Sequence, residues 1–169
     1  MPHRFVLTSR WHLDTTPAAV WHLLTDIDAW PAWWRYVRRV RRIERAPSSP
    51  VGDVAELDWG SALPYGIRLR VTTVAAEAPH RLEGHALGDL KGFGTWLLEA
   101  GDGEGEGVDV TYRWEVVLER RWMRVLSFLL RPLFEWNHFV VMRAGASGMA
   151  QRLGCRLSRL TEWSGSRWP

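Results

Sequence analysis

The amino-acid sequence predicts an α+β domain in which a curved antiparallel sheet of about seven strands wraps round a long C-terminal helix, with two short helices after the first strand. Three observations support this prediction. Alternating apolar and polar residues recur in segments before residue 120, most connections between these segments are too short for parallel strands, and helical spacing then continues almost to the end. The last helix is the only apolar partner long enough to cover the sheet, so we expect the sheet to curl round it.

The first strand and the two helices after it carry clear local signals. Between Phe5 and Leu13 the odd positions are mostly apolar and the even ones mostly polar, which is typical of a half-buried strand. Thr16 followed by Pro17 predicts the N-cap and first turn of a short helix. Pro31 predicts the start of a second short helix.

Six further segments have the pattern of strands. They are 37–46, 53–59, 66–76, 80–88, 91–100 and 108–119. The last has the clearest pattern, because Val110, Tyr112 and Trp114 alternate with polar residues and must share one buried face. The glycine- and acid-rich segment 101–107 predicts a hairpin loop.

Beyond residue 121 the spacing is that of an amphipathic helix. Pro132 is expected to divide it, and apolar residues then recur every three or four positions from Phe139 to Leu160. We therefore predict one domain over 1–160 and a loosely ordered tail over 161–169. The small residues AGASG at 144–148 indicate either close approach of the sheet or room for a ligand.

The segment WPAWWRYVRRVRR at 30–42 joins two elements with different surroundings. We expect Trp30, Trp33 and Trp34 to be buried in the second helix and at the lip of a cavity. The arginines at 38, 39, 41 and 42 are expected to stay exposed, on the sheet edge or its wet face, where charge discourages edge-to-edge pairing.

The composition disfavours several functional classes. The net charge is only +3 although 22 residues are basic, which argues against a nucleic-acid partner, and Cys155 has no second cysteine for an intramolecular disulfide. No continuous apolar segment resembles a signal peptide, so we expect a cytoplasmic location. The longest apolar segment, 125–134, is too short to span a bilayer.

The sequence contains no recognisable metal, nucleotide or nucleophile motif. The six histidines are scattered and neither HExxH nor GxSxG occurs, so we expect no metal and no cofactor and assign no catalytic residue. Acid–base chemistry would need polar groups inside the fold. The candidates are Arg70, Glu83, His85, Tyr112, Asn137 and His138.

Strand parity places Tyr112 on the inner face, where it is either a ligand contact or a core tyrosine bonded to backbone. The same parity places Glu83 and His85 outside. Asn137 and His138 either line a cavity mouth or cap and solvate a bend, and we favour the bend.

Three segments in this order resemble the superfamily of START domains, birch-pollen allergens and polyketide cyclases (SRPBCC), whose fold is called the helix-grip. They are TTPAAVWHLLTDIDAWPAWW at 15–34, GFGTWLLEA with GVDVTYRWEVVLE within 92–119, and LLRPLFEWNHFVVMRAGASGMAQRL at 129–153. The resemblance implies a deep apolar cavity between sheet and C-terminal helix, which relatives use for lipids, sterols, hormones or polyketides and some use for cyclisation or dehydration.

Ten residues are expected to line this cavity. They are Trp30, Trp34, Trp59, Leu69, Trp96, Tyr112, Trp114, Trp136, Asn137 and Val141. Our leading hypothesis is the binding or transport of an apolar or aromatic small molecule, such as a lipid or polyketide. The first alternative is a cyclase or aromatase that uses acid–base groups in the same cavity, without metal or nucleotide.

A second alternative is a peripheral membrane protein that transfers lipids through transient contact with a bilayer. In this hypothesis the segment 120–134 lies on the membrane, with Trp122, Leu126, Phe128 and Leu129 facing the lipid. The oligomeric state and the ligand's identity do not follow from the sequence.

Overall fold

The computed structural model describes residues 4–101, 107–119 and 121–165, without the side chains of 123, 127 and 128. The described part of the chain begins and ends with a strand. In chain order the elements are β1 (Arg4–Leu13), α1 (Pro17–Thr25), a 3₁₀ turn (Ile27–Ala29), α2 (Trp30–Trp33), β2 (Val37–Glu44), β3 (Val54–Trp59), β4 (Ile67–Glu77), β5 (Arg81–Gly88), β6 (Leu90–Ala100), β7 (Val108–Leu118), α3 (Arg121–Leu153) and β8 (Leu157–Ser164).

The strands form one curved antiparallel sheet with the order β2-β3-β4-β5-β6-β7-β1-β8. The α+β helix-grip architecture and its antiparallel pairing are therefore as predicted. The arginine-rich strand β2 lies at one edge of the sheet. The central part of the predicted hairpin loop, residues 102–106, lies outside the described residues.

The C-terminal end of the chain differs from the prediction. The helix ends at Leu153 rather than Leu160, because Gly154 adopts a left-handed conformation with φ +64°. The amide of Cys155 donates to the carbonyl of Ala150 at 3.0 Å and that of Gly154 donates to Gln151 at 3.3 Å, the two bonds of a Schellman C-cap. The chain then forms an eighth strand, β8.

The boundary predicted after residue 160 is wrong for the same reason. Residues 161–164, predicted as part of a loose tail, belong to β8, where Trp163 pairs with Thr8 and Ser164 with Leu7. Residues 166–169 lie outside the described part of the chain. Pro132 was expected to divide the helix, but it lies within a continuous α3.

The tryptophans of the segment 30–42 are buried as predicted. Trp30 and Trp33 are buried, Trp34 is 1% exposed, and the indole nitrogen of Trp34 donates to the carbonyl of Val141 in α3 at 2.9 Å. The arginines at 38, 39 and 41 are exposed, also as predicted. Arg42 is an exception, since it is largely buried between Asp28 and Asp53.

Apolar side chains between sheet and helices form two clusters. The first joins α1, α2 and the C-terminal half of α3 around Trp11, Trp34 and Trp96. The second joins the N-terminal half of α3 to the sheet around Phe5 and Phe134. Side chains of both clusters border an open space between the sheet and α3.

Candidate functional site

A cavity of about 190 Å³ lies between the inner face of the sheet and α3. Its walls come from both apolar clusters, from α1 and α2, and from the loop that joins β3 to β4. The lining side chains from the first cluster include Trp30, Trp34, Leu57, Leu82, Trp96 and Met142, and those from the second include Phe5, Leu7, Leu69, Leu90, Val116, Leu118 and Phe134. The cavity is therefore bounded mainly by packed apolar groups.

Nine of the ten residues predicted for the cavity line it. They are Trp30, Trp34, Trp59, Leu69, Trp96, Tyr112, Trp114, Asn137 and Val141. Trp136 does not, because it lies on the outer side of α3 with 47% of its surface exposed. Successive residues in a helix are rotated by about 100°, so Asn137 and Trp136 face different directions.

Aromatic rings form a continuous wall on one side of the cavity. The ring centroids of Trp34 and Trp59 are 4.9 Å apart, those of Trp34 and Trp96 are 6.1 Å apart, and those of Trp96 and Tyr112 are 4.4 Å apart. Tyr112 also stacks against Trp114 at 6.1 Å. The alternation of β7 places Tyr112 and Trp114 on one face, and the neighbouring strand β6 supplies Trp96 opposite Tyr112.

The phenol of Tyr112 lies over Gly94 of β6. A Cβ at residue 94 would lie 2.5 Å from the Tyr112 hydroxyl, so glycine at this position leaves space for the phenol. Burial raises the pKa of Tyr112, because the charged phenolate would lose its hydration in the apolar wall. The hydroxyl is therefore a neutral donor.

His138 is a half-buried histidine in α3 that lines the cavity near Tyr112, and its Nε2 atom is buried. The two rings are nearly parallel with centroids 6.4 Å apart, and the Nε2 atom of His138 has no hydrogen-bond partner among the described residues. Burial lowers the pKa of His138 to about 3, so the ring is neutral at physiological pH. The favoured prediction of a solvated bend at 137–138 is wrong, since α3 is continuous here and faces the cavity.

Asn137 attaches the loop between β3 and β4 to α3. Its side-chain oxygen accepts from the amide of Ala62 at 2.9 Å, and its side-chain nitrogen donates to the hydroxyl of Tyr65 at 3.3 Å. Burial raises the pKa of Tyr65, which the bond from Asn137 only partly opposes. Tyr65 was not among the predicted site residues, because the loop has no periodic pattern from which its contacts could be predicted.

The other acid–base candidates lie elsewhere. Arg70 lies on the outer face, where it donates to Glu56 at 2.8 Å. His85 stacks on Phe93 at 4.7 Å on that same face, as predicted. Glu83 borders the cavity, but its carboxylate accepts from Arg81 and Thr95 on the outer face, as predicted.

Two further features bear on the type of site. Among the described residues, no group of three or more histidine, cysteine or acidic side chains is arranged to hold a metal ion. No helix within this part of the chain is long and apolar enough to cross a membrane.

The fold and the site define a helix-grip protein with an apolar, aromatic-walled cavity. Residues 4–162 match the family described as polyketide cyclase/dehydrase and lipid transport, and the chain belongs to this family. The family is one that binds apolar small molecules, which agrees with the composition of the cavity wall.

Solved structures with the same fold include an aromatase/cyclase and a START protein. The ZhuI aromatase/cyclase from Streptomyces sp. R1128 is 13% identical with a TM-score of 0.69, and the match covers 90% of this chain and 94% of that one. A START superfamily protein from Mycobacterium smegmatis is 12% identical with a TM-score of 0.67, covering 89% and 97%.

A protein from Thermus thermophilus is 17% identical with a TM-score of 0.64, and the match covers 88% of this chain and 96% of that one. The search of curated proteins found no significant match. At sequence identities of 12 to 17%, the likeness to these structures shows the fold alone.

Proposed function

We propose that the protein binds and carries an apolar or aromatic small molecule, of lipid or polyketide type, in the cavity between the sheet and α3. The observation that carries this proposal is a cavity of about 190 Å³ lined mainly by apolar and aromatic side chains. An apolar cavity of about 150 Å³ in another protein stays dry and binds benzene. The space here is thus large enough for at least a small aromatic ligand.

The cost of leaving this space open supports a functional role. Unfilled apolar space in a protein core lowers the free energy of unfolding by about 24 cal/mol per Å³, so the apolar part of this cavity has a stability cost when it is empty. Larger side chains at positions such as Ala55 or Val141 would recover part of that energy. A bound ligand would recover it too, because a ligand that binds only the folded state stabilises that state.

The cavity supports binding more than acid–base catalysis. A general acid or base works best when its pKa lies near the working pH. Burial lowers the pKa of His138 to about 3 and raises that of Tyr112, so both move away from neutrality. The single, unpaired Cys155 is consistent with a reducing compartment, and we propose the cytoplasm as the site of action.

The test fills the cavity by the substitution Val141→Phe. Val141 lines the cavity from α3, whereas Val117 lies on the outer face of β7 with 41% of its surface exposed. Val117→Phe is therefore the control. The wild-type protein and both variants are purified without denaturation, and the small molecules they carry are identified by mass spectrometry.

We expect a reproducible apolar passenger in the wild type and in Val117→Phe, and at least a tenfold loss in Val141→Phe. A passenger retained equally by all three proteins would place the ligand outside this cavity. The absence of any passenger, together with no binding of added aromatic probes, would contradict the proposed function.

A second candidate function, transfer of the ligand to or from a bilayer, is favoured by an exposed apolar stripe on α3. Residues on one side of its N-terminal half repeat every three or four positions and are exposed. They are Trp122, Val125, Leu126, Leu129, Leu133 and Trp136. Arg121 and Arg124 lie near the start of this stripe and complement anionic lipid headgroups. The side chain of Phe128, also predicted to face the lipid, lies outside the described residues.

This function predicts binding to anionic vesicles through the stripe. The substitution Leu129→Asp, at a residue that is 75% exposed, is expected to reduce co-sedimentation with phosphatidylglycerol-containing vesicles by about tenfold, since the apolar contact is lost. Leu87→Asp, on the outer face of β5, is the matched control and should bind as the wild type does. Equal sedimentation of both variants would contradict bilayer contact through α3.

A further inference from the structure

The charged groups that border the cavity are all paired with protein partners. Arg42 donates to Asp53 at 2.8 Å, and Arg81 donates to Glu83 at 2.8 Å. The hydroxyl of Tyr65 accepts from Asn137. Within the described residues, a ligand therefore meets no unpaired cation on the cavity wall.

Tyr112 and His138 are the ionisable lining groups that remain in the described part of the chain. The hydroxyl of Tyr112 lies over Gly94 in the aromatic wall, and Nε2 of His138 is buried without a partner among the same residues. Their rings are 6.4 Å apart and nearly parallel, with one on the sheet and the other on α3. Buried polar atoms are usually hydrogen-bonded, so an unpartnered one beside a cavity indicates a missing partner.

We infer that Tyr112 and His138 form a hydrogen-bonding subsite for the oxygen of an uncharged aromatic ligand, such as a phenol or ketone, and that the cavity rejects carboxylates. This inference depends on the proposed function, because it names the ligand class of the same cavity. The phenol of Tyr112 donates to the ligand oxygen, and when that oxygen belongs to a hydroxyl, the neutral imidazole of His138 accepts its proton in a hydrogen bond.

The selection against carboxylates follows from desolvation. An ionised carboxylate loses its hydration on entering an apolar cavity, and this loss is large unless a cation compensates for it. Arg42 cannot compensate without breaking its pairs with Asp28 and Asp53. A neutral oxygen loses less hydration, and Tyr112 can replace one of its bonds to water.

The test compares three probes that share one ring system: naphthalene, 2-naphthol and 2-naphthoate. At pH 7 the naphthol is neutral and the naphthoate is ionised. Binding is followed by quenching of tryptophan fluorescence, because Trp34, Trp59 and Trp96 line the cavity. The variants Tyr112→Phe and His138→Phe remove the polar atoms and keep the rings. Tyr36→Phe, which removes a hydroxyl from a residue that does not border the cavity, is the control.

We expect the wild type and Tyr36→Phe to bind 2-naphthol most tightly, naphthalene less tightly and 2-naphthoate least. Tyr112→Phe and His138→Phe should each weaken 2-naphthol binding roughly two- to tenfold, the usual contribution of one hydrogen bond, and leave naphthalene binding unchanged.

The outcomes separate this inference from the proposed function. If naphthalene binds but 2-naphthol has no advantage, or if either variant leaves its advantage intact, the subsite is wrong and the apolar cavity stands. Tight binding of 2-naphthoate would also overturn the subsite. If none of the probes binds, both the subsite and the proposed function are contradicted.

Discussion

At the scale of single residues, Gly145 and Gly148 determine how closely α2 approaches α3. A Cβ on Gly145 would lie 2.5 Å from the indole ring of Trp34, and one on Gly148 would overlap with the carbonyl oxygen of Trp33. The small residues at 144–148 therefore make room for the tryptophans of α2. Of the two interpretations left open by the sequence, close packing applies, but the partner is α2 instead of the sheet.

The substitution Gly148→Ala tests this packing. Alanine normally stabilises a helix by about 1 kcal/mol relative to glycine. Here we expect the free energy of unfolding to fall by about 1 to 3 kcal/mol, because the backbone of Trp33 must move. Urea unfolding followed by circular dichroism measures the change. Ser147→Ala, at an exposed neighbouring position, should have little effect, and a stabilised Gly148→Ala would contradict the close approach.

At the scale of elements, a buried ion cluster ties three strands together at one side of the sheet. Asp109 of β7 is buried, accepts from Arg10 of β1 at 3.0 Å and lies 2.7 Å from Nδ1 of His12 of β1. Arg159 of β8 approaches the same carboxylate at 3.4 Å. Since β8 lies at the sheet edge beside β1, this cluster adds a second attachment between β8 and the sheet.

Replacing Asp109 should make stability depend less on pH. Burial would raise the pKa of Asp109, but hydrogen bonds from His12 and Arg10 and the nearby guanidinium charges outweigh it and lower the pKa. A carboxylate with a depressed folded-state pKa contributes stability above its unfolded pKa of about 3.9, and loses that contribution as the pH falls through the folded value.

We therefore expect Asp109→Asn to lower the free energy of unfolding by about 2 kcal/mol at pH 5 to 7, and by progressively less below about pH 4. Urea unfolding between pH 3 and 7 measures the difference between the variant and the wild type. Asp58→Asn, in an exposed pair with Arg68, is the control and should show a much smaller difference. A difference that grows on acidification would contradict the role given to Asp109.

At the scale of the whole molecule, the open cavity lowers the stability of the ligand-free protein and leaves room for a ligand. The two apolar clusters are joined by the half-buried Trp59 and Val71, and the described side chains leave open space between them. The cavity-filling variant Val141→Phe should therefore lose ligand without losing stability, and its urea midpoint should equal or exceed that of the ligand-free wild type. A large loss of stability would mean that the cavity cannot accept an added ring.

The periodicity of the sequence was sufficient for most of this fold. Period-two alternation identified β1 to β7, Thr16 and Pro17 marked α1, and nine cavity residues followed from strand parity and the family resemblance. These features are local, because alternation records which face of a strand or helix is buried. It does not record which element covers that face.

Tertiary contacts decided the rest. Leu153, Leu157 and Leu160 fit a helix as well as they fit a helix followed by a strand, and the left-handed Gly154 together with pairing to β1 selects the strand. The stacking of His138 on Tyr112 likewise depends on α3 facing the aromatic wall across the cavity. The sequence by itself determined the elements and their buried faces, whereas only the tertiary structure decided the last strand, the partner of the small residues and the neutral polar pair, because each depends on residues distant in the chain.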